Sequence, residues 1–282
     1  MGNRLPEDPG LEARMGTSVP SRNSLFAAML VLVLTASSCG WIDDLSARNE
    51  LNQGVTAYTS KKYDEAIEHF QESIEKDPDL VRSYLYLAIA YRAQYIPQGT
   101  SPENMDRARN AITTFEKVIE KATDPVDQTT AMANLAGLYS GMGDYDMAKE
   151  WYRKRLVLEP DNPVPMYGIA TIDWQLSYDE TGMTGESVEF LSEERRAEIN
   201  QFVDEGIASL KEALEIDPEY VDAMQYLNLL YREKAKLTTE EEEKRTWERE
   251  ADQLALRSLE LKREQQDAEA EARRRLLAGE EE

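Results

Sequence analysis

The chain has 282 residues, 41% hydrophobic and 31% charged, which is neither the composition of a disordered chain nor that of one embedded throughout in a membrane. Lysine and arginine number 32 against 55 aspartates and glutamates, a net charge of −23. A field of that sign opposes DNA or RNA as the main partner, so no nucleic-acid role is expected.

In chain order, residues 1–38 read as an export segment to be kept out of the fold. Leu25 to Thr35 is an apolar run of 11 residues, too short to span a bilayer as a helix and suited to a signal-peptide core. Arg14 and Arg22 precede it, and translation from Met1 or from Met15 fits equally. The run leads into Ala36-Ser37-Ser38-Cys39, which resembles the bacterial lipobox, with Ala36 where that motif usually has leucine. The resemblance implies that Cys39 is diacylated and begins the mature protein, followed by a tether over 39–46. Cys39 is the chain's single cysteine; without lipidation it needs another explanation, such as a free thiol or an intermolecular bridge. Ordinary cleavage nearby and a retained signal anchor are the competing readings. Gly40, and not aspartate, follows the cysteine, which in enterobacterial-type sorting implies the periplasmic face of the outer membrane. Other bacteria sort differently, so inner and outer membrane both stay open.

Five helical hairpins follow. The first, 47–80, has Gly54 on its first helix, Ala66 and Phe70 on its second, and Pro78 at its end. The second, 81–128, repeats this with Ala88, Ala111, Phe115 and Pro125, and is interrupted by a turn-rich insertion over 93–104 in which Ser101 can cap the next helix. The third, 129–162, has no insertion. Its residues Met132, Leu135, Ala136 and Tyr139 share one helix face, as do Tyr145, Ala148, Tyr152 and Leu156 after the turn at Gly141 to Asp144, and Pro160 forbids continuation. The fourth, 163–220, carries Ala170, Gly206, Leu210 and Pro218 around a long insertion over 177–195, the best candidate for protein-specific function. The fifth, 221–262, has Asn228 and Ala251, and its last helix opens on a capping box of Thr239 with Glu242. That helix shows a stripe of Trp247, Ala251, Leu254, Ser258 and Leu261 that closes the array. Residues 263–282 form a charged helical tail with pairs such as Glu269 and Arg273.

The central first-helix residues Gly54, Ala88, Ala136, Ala170 and Asn228 lie 34, 48, 34 and 58 apart, a period of 34 with insertions of 14 and 24. This resembles the tetratricopeptide repeat, a unit of about 34 residues. The resemblance implies an all-α solenoid of about five antiparallel hairpins with an extended C-terminal helix.

The residue supply argues against an enzyme. One histidine, His69, and one cysteine beside the export segment exclude a His/Cys metal cluster and a Cys-His nucleophile pair. His69 reads as a surface or groove residue. No GxxxxGK[ST] or GxGxxG phosphate loop is present, and the many paired carboxylates read as a solvated face. No cofactor and no metal are expected.

What the resemblance implies instead is protein binding in a concave groove lined by the first helices. The matching positions are Arg48, Leu51, Val55 and Tyr58; Arg82, Leu85, Ile89 and Arg92; Ala133, Gly137 and Ser140; Tyr167, Thr171 and Trp174; and Gln225, Leu229 and Arg232. The asparagines of the family's carboxylate clamp are missing from this set. The implied function is a scaffold, lipid-anchored in the bacterial envelope, that holds a segment of an envelope protein to support assembly of an envelope machine. The alternative is a small-ligand-binding accessory lipoprotein of a transport system, for which Tyr167, Trp174 and Tyr178 are the sequence hint.

Overall fold

A computed structural model describes residues 43–278; the export segment and Cys39 lie outside the described residues. The described chain is ten α-helices joined by turns, with no strand among the described residues. They are α1 (43–59), α2 (Tyr63–Lys76), α3 (Val81–Gln94), α4 (Pro102–Lys121), α5 (Pro125–Met142), α6 (Tyr145–Leu158), α7 (Pro163–Thr181), α8 (Glu193–Ile216), α9 (Val221–Leu237) and α10 (Glu241–Ala278). A short 3-10 turn, Glu186–Phe190, interrupts the passage from α7 to α8. From α2 onward each helix packs on the next, and the odd-numbered helices also meet one another, α3 with α5 and α7 with α9. The result is a solenoid whose inner face is built from odd-numbered helices. No described helix is long and apolar enough to cross a membrane.

Local chemistry sets the helix ends. Ser101, Asp124, Asp144, Asn162 and Ser192 each accept a backbone N–H from the first turn that follows, and Pro102, Pro125 and Pro163 occupy first positions where no amide partner is needed. Gly143 ends α5 in the left-handed region at φ 79, and its N–H and that of Asp144 bond back to Ser140 and Tyr139. The last helix starts one residue later than the capping box required. Lys244 bonds back to the Glu240 carbonyl, so Glu240 and not Thr239 holds the cap position. In the tail the pairing is Arg275 with Glu271, two residues further along than Glu269 with Arg273.

The small residues mark close approach. Ala88, Ala136 and Ala170 are fully buried. A Cβ on Gly54 would lie 2.4 Å from the Phe70 ring, and one on Gly168 would lie 2.4 Å from the Tyr152 ring. The apolar core is not continuous. One cluster joins the first hairpin to α3 around Phe70 and shares Ile74 and Tyr91 with a second, which joins the second and third hairpins around Phe115 and Leu135; a third joins the fourth and fifth around Leu210 and Leu230, and a small fourth seats Leu261 against Val221 and Met224. Between the second and third clusters sits a buried polar network. Lys149 of α6 reaches Asp173 of α7 at 2.5 Å and Glu205 of α8 at 2.8 Å, and Arg153 pairs with the same Glu205. In α10, Ala251, Ser258 and Leu261 are buried while the helix beyond Leu261 stands in solvent.

Candidate functional site

The inner face brings three of the predicted groove helices to one depression. Its lining includes Tyr58 of α1, Ile89 and Arg92 of α3, and Gly137 of α5, around a volume of about 270 Å³. Leu51, Val55 and Tyr58 are half-buried beside the first cluster. Arg82 is exposed at the start of α3. Leu85 does not line the groove: it is buried in the core, because α3 packs against α2, α4 and α5 and turns that position inward.

The basic groups differ in how far they are occupied. Arg48 gives its Nε to Asp44 on its own helix at 2.9 Å. Arg92 donates to Asn134 of α5 at 3.0 Å, and Gly137 leaves room for it, since a Cβ there would lie 3.2 Å from the guanidinium. Arg232 is taken by Asn228 and by Asp252 of α10, so the last helix has neutralised the fifth hairpin's cation.

Sequence reasoning missed part of the wall. Asn134 stands on the groove beside Arg92, so an asparagine does face it. The insertion after α3 is also structural. Tyr95 and Pro97 line the depression, Tyr95 donates to the Gly141 carbonyl at 3.3 Å, and Asn104 bonds the backbone of Ile96 and Gly99 at 2.8 to 2.9 Å. A tyrosine and a proline directly after a predicted helix were the available signal.

The fourth and fifth hairpins form a different surface. Trp174 stacks on Tyr178 at 5.1 Å and meets Tyr226 edge-on at 5.6 Å; Tyr226 meets Tyr167, and Tyr167 meets Tyr220. Burial pushes the Tyr167 phenol well above its usual range. The aromatic side chains thus fill one another's space across α7 and α9. A shallow polar depression beside them is lined by Thr171, Trp174 and Gln175 with Ser140 and Tyr145. Thr171 donates to the Gly168 carbonyl of its own helix, and Gln225 and Leu229 are half-buried on α9.

His69 is half-buried and lines a surface depression with Asn52, Gln53 and Thr56 of α1, apart from the one at Arg92. Its Nδ1 lies 2.9 Å from Glu50 Oε2, and Lys76 holds Glu50 Oε1 at 2.6 Å. Hydrogen bonds from Lys76 and then His69 keep the Glu50 carboxyl below its usual range. Glu72 lies near enough to complete a three-ligand cluster with them, but a lysine ammonium already meets its charge.

The comparisons agree with this architecture. The tetratricopeptide repeat model matches residues 50–80 and 129–162, so the chain carries tetratricopeptide repeats and folds as a solenoid of them. It superposes on the crystal structure of MamA protein with a TM-score of 0.52, covering 79% of this chain and 94% of that one at 16% identity. With MamA, residue 41 to the end, from Desulfovibrio magneticus RS-1, the TM-score is 0.53 over 78% and 97% at 15% identity. At such identities the likeness is one of fold. Among curated proteins, 129 residues are 30% identical to Hsp70-Hsp90 organizing protein 3 of Arabidopsis thaliana, covering 46% of this chain and 21% of that protein. Another 136-residue match is 27% identical to the antiviral innate immune response effector IFIT1 of Homo sapiens, covering 43% and 28%. The chain therefore spans less than a third of the length of either relative.

Proposed function

We propose that this chain is a non-enzymatic scaffold that binds an acidic, apolar protein segment in the basic half of its inner groove. The observation that carries this is the meeting of Tyr58, Ile89, Arg92 and Gly137 from three hairpins in one depression. Tyr58 and Ile89 remove apolar partner surface from water, and the exposed Arg82 and Arg92 select acidic groups by charge-assisted hydrogen bonds. A relative named for organising two other proteins is consistent with such a role. The small-ligand alternative loses its main support, because Tyr167, Trp174 and Tyr178 are packed against Tyr220 and Tyr226 and do not wall a closed pocket.

Capture of partner proteins from membranes, followed by mass spectrometry, tests the groove. Arg82→Glu with Arg92→Glu should cut capture at least tenfold while circular dichroism stays unchanged. If capture is undiminished by that pair and abolished by Trp174→Ala, binding belongs to the fourth hairpin instead.

The same reading places the chain on the bacterial envelope, held by a diacylated Cys39 at the periplasmic face of the outer membrane, where the partner would be part of an envelope machine. The support is the apolar run of residues 25–35, which leads through Ala36-Ser37-Ser38 into the single Cys39. Cys39→Ser should release the protein from the membrane fraction and abolish incorporation of labelled fatty acid. Retention of both would remove the anchor from this account.

A further inference from the structure

The insertion between α7 and α8 carries the chemical complement of the groove. It is tied to α8, α9 and the core at several points. Thr181 donates to Glu233 at 2.6 Å, and Lys236 donates to the Gly182 carbonyl at 2.6 Å. Val188 is buried in the core with Leu191 against the same cluster, and Arg196 donates to the Val188 carbonyl at 2.7 Å. On this fixed frame Met183 is 79% exposed and Phe190 82% exposed. A flexible loop could fold such side chains away, whereas here the frame holds them out.

Their surroundings are acidic. Glu186, Glu189, Glu193 and Glu194 are all exposed around them. The nearby cations are already engaged: Arg195 by Glu180 and Glu198, Arg196 by the Val188 carbonyl, and Lys236 by Glu233 and the Gly182 carbonyl. The insertion is thus an apolar knob with uncompensated negative charge, and the depression at Tyr58, Ile89 and Arg92 is an apolar hollow with positive charge.

We infer that the occupant of the groove is a second copy of this chain, which seats its Phe190 and Met183 there with Glu186 and Glu189 toward Arg92. This rests on the groove being a protein-binding surface. A separate basic protein would satisfy the knob and leave the groove to yet another partner, whereas a second copy satisfies both with one set of contacts. The geometry permits reciprocity. The knob is the within-hairpin turn of the fourth repeat, and the groove opens beside the within-hairpin turn of the second, through Tyr95 and Pro97. Both therefore belong to the edge of the solenoid formed by those turns, and a two-fold axis lets each copy give its knob and receive its partner's. With −23 charges per chain, two copies repel at long range, so the contact depends on this local match of sign.

The test uses the full chain, solubilised from membranes, with two epitope tags on co-expressed copies. Isolation through one tag should recover the other. Phe190→Asp in both copies should cut that recovery at least tenfold, and so should Arg92→Glu in both. A mixed pair, Phe190→Asp with the arginine variant, keeps one of the two contacts and should recover an intermediate amount. Phe190 is a solvent-facing residue, so the variant should fold, and circular dichroism checks this; Phe190→Ser serves where the aspartate lowers expression. Failure of the wild type to recover its second copy, or undiminished recovery with Phe190→Asp, overturns self-docking. If the arginine variant also loses capture of other envelope proteins, the groove reading survives that failure; if it captures them as before, the groove reading itself has fallen.

Discussion

Replacing Lys149 by leucine should destabilise the solenoid by about 3–5 kcal/mol, the usual cost of leaving a buried charge without its partner. Lys149 is buried beside a carboxylate, Asp173, that has no solvent exposure, and its second contact is Glu205. Burial raises Asp173 to about 7 from 3.8 even though Lys149 donates to it, and its Oδ2 has no hydrogen-bond partner. Glu205 is also pushed up by burial, but hydrogen bonds from Lys149 and Arg153 outweigh that and hold it below its usual range. The two carboxylates therefore act on stability in opposite directions. Asp173 binds its proton more tightly folded than unfolded, so its contribution is complete below about pH 4 and is lost as pH rises through 7. Glu205 contributes above its unfolded value of 4.5, and that contribution is lost as pH falls. Removing Lys149 weakens both carboxylates, so the measured loss should be greater at pH 8 than at pH 5. Urea titrations of wild type and Lys149→Leu at the two pH values check this. Asp173→Leu added to Lys149→Leu should recover part of the loss, since an apolar pair replaces an orphaned charge. An equal loss at both pH values would mean that packing, and not charge, is what Lys149 supplies.

Phe70→Ala should cost about 3–5 kcal/mol in the first hairpin, and the damage should stay there. Phe70 is fully buried, fills the space left by Gly54, and stacks on Tyr86 at 5.8 Å. It belongs to a cluster confined to the first two hairpins, which meets the one around Leu135 through the part-buried Ile74 and Tyr91 and does not reach the one around Leu210. A repeat array couples mainly neighbour to neighbour, so loss of the first hairpin leaves the later ones their own cores. Amide exchange should show α1 and α2 losing protection while α7 to α9 keep theirs. A uniform loss along the chain would show one cooperative unit and contradict the division of the core.

The fold was largely legible because its signals are local. Alanine or glycine where helices approach, and proline at hairpin ends, recur at a spacing the eye can test, and the stripe from Trp247 to Leu261 needed only the helical period. The groove was legible in part. Tyr58, Ile89 and Arg92 meet as their positions implied, but Leu85 went to the core because α3 has neighbours on three sides, which a single-helix pattern does not record. Asn134 lies three residues before the predicted Gly137 and so shares the helix face that meets Arg92. The buried network could not be read at all. Lys149 looks like an ordinary helix-surface lysine, and its partners lie 24 and 56 residues away in sequence, so only the packing of α6, α7 and α8 reveals it.

The central claim is that a protein segment lies in the groove between the first and third hairpins. Site-specific photocrosslinking in intact cells tests it most directly, with benzoylphenylalanine placed at Ile89 in the depression and, separately, at Val157, which is 82% exposed near the end of α6. Discrete protein adducts from position 89, absent from position 157 and lost with Arg82→Glu and Arg92→Glu, are the predicted result; adducts from position 157 alone, or adducts from position 89 that ignore those arginines, would contradict it.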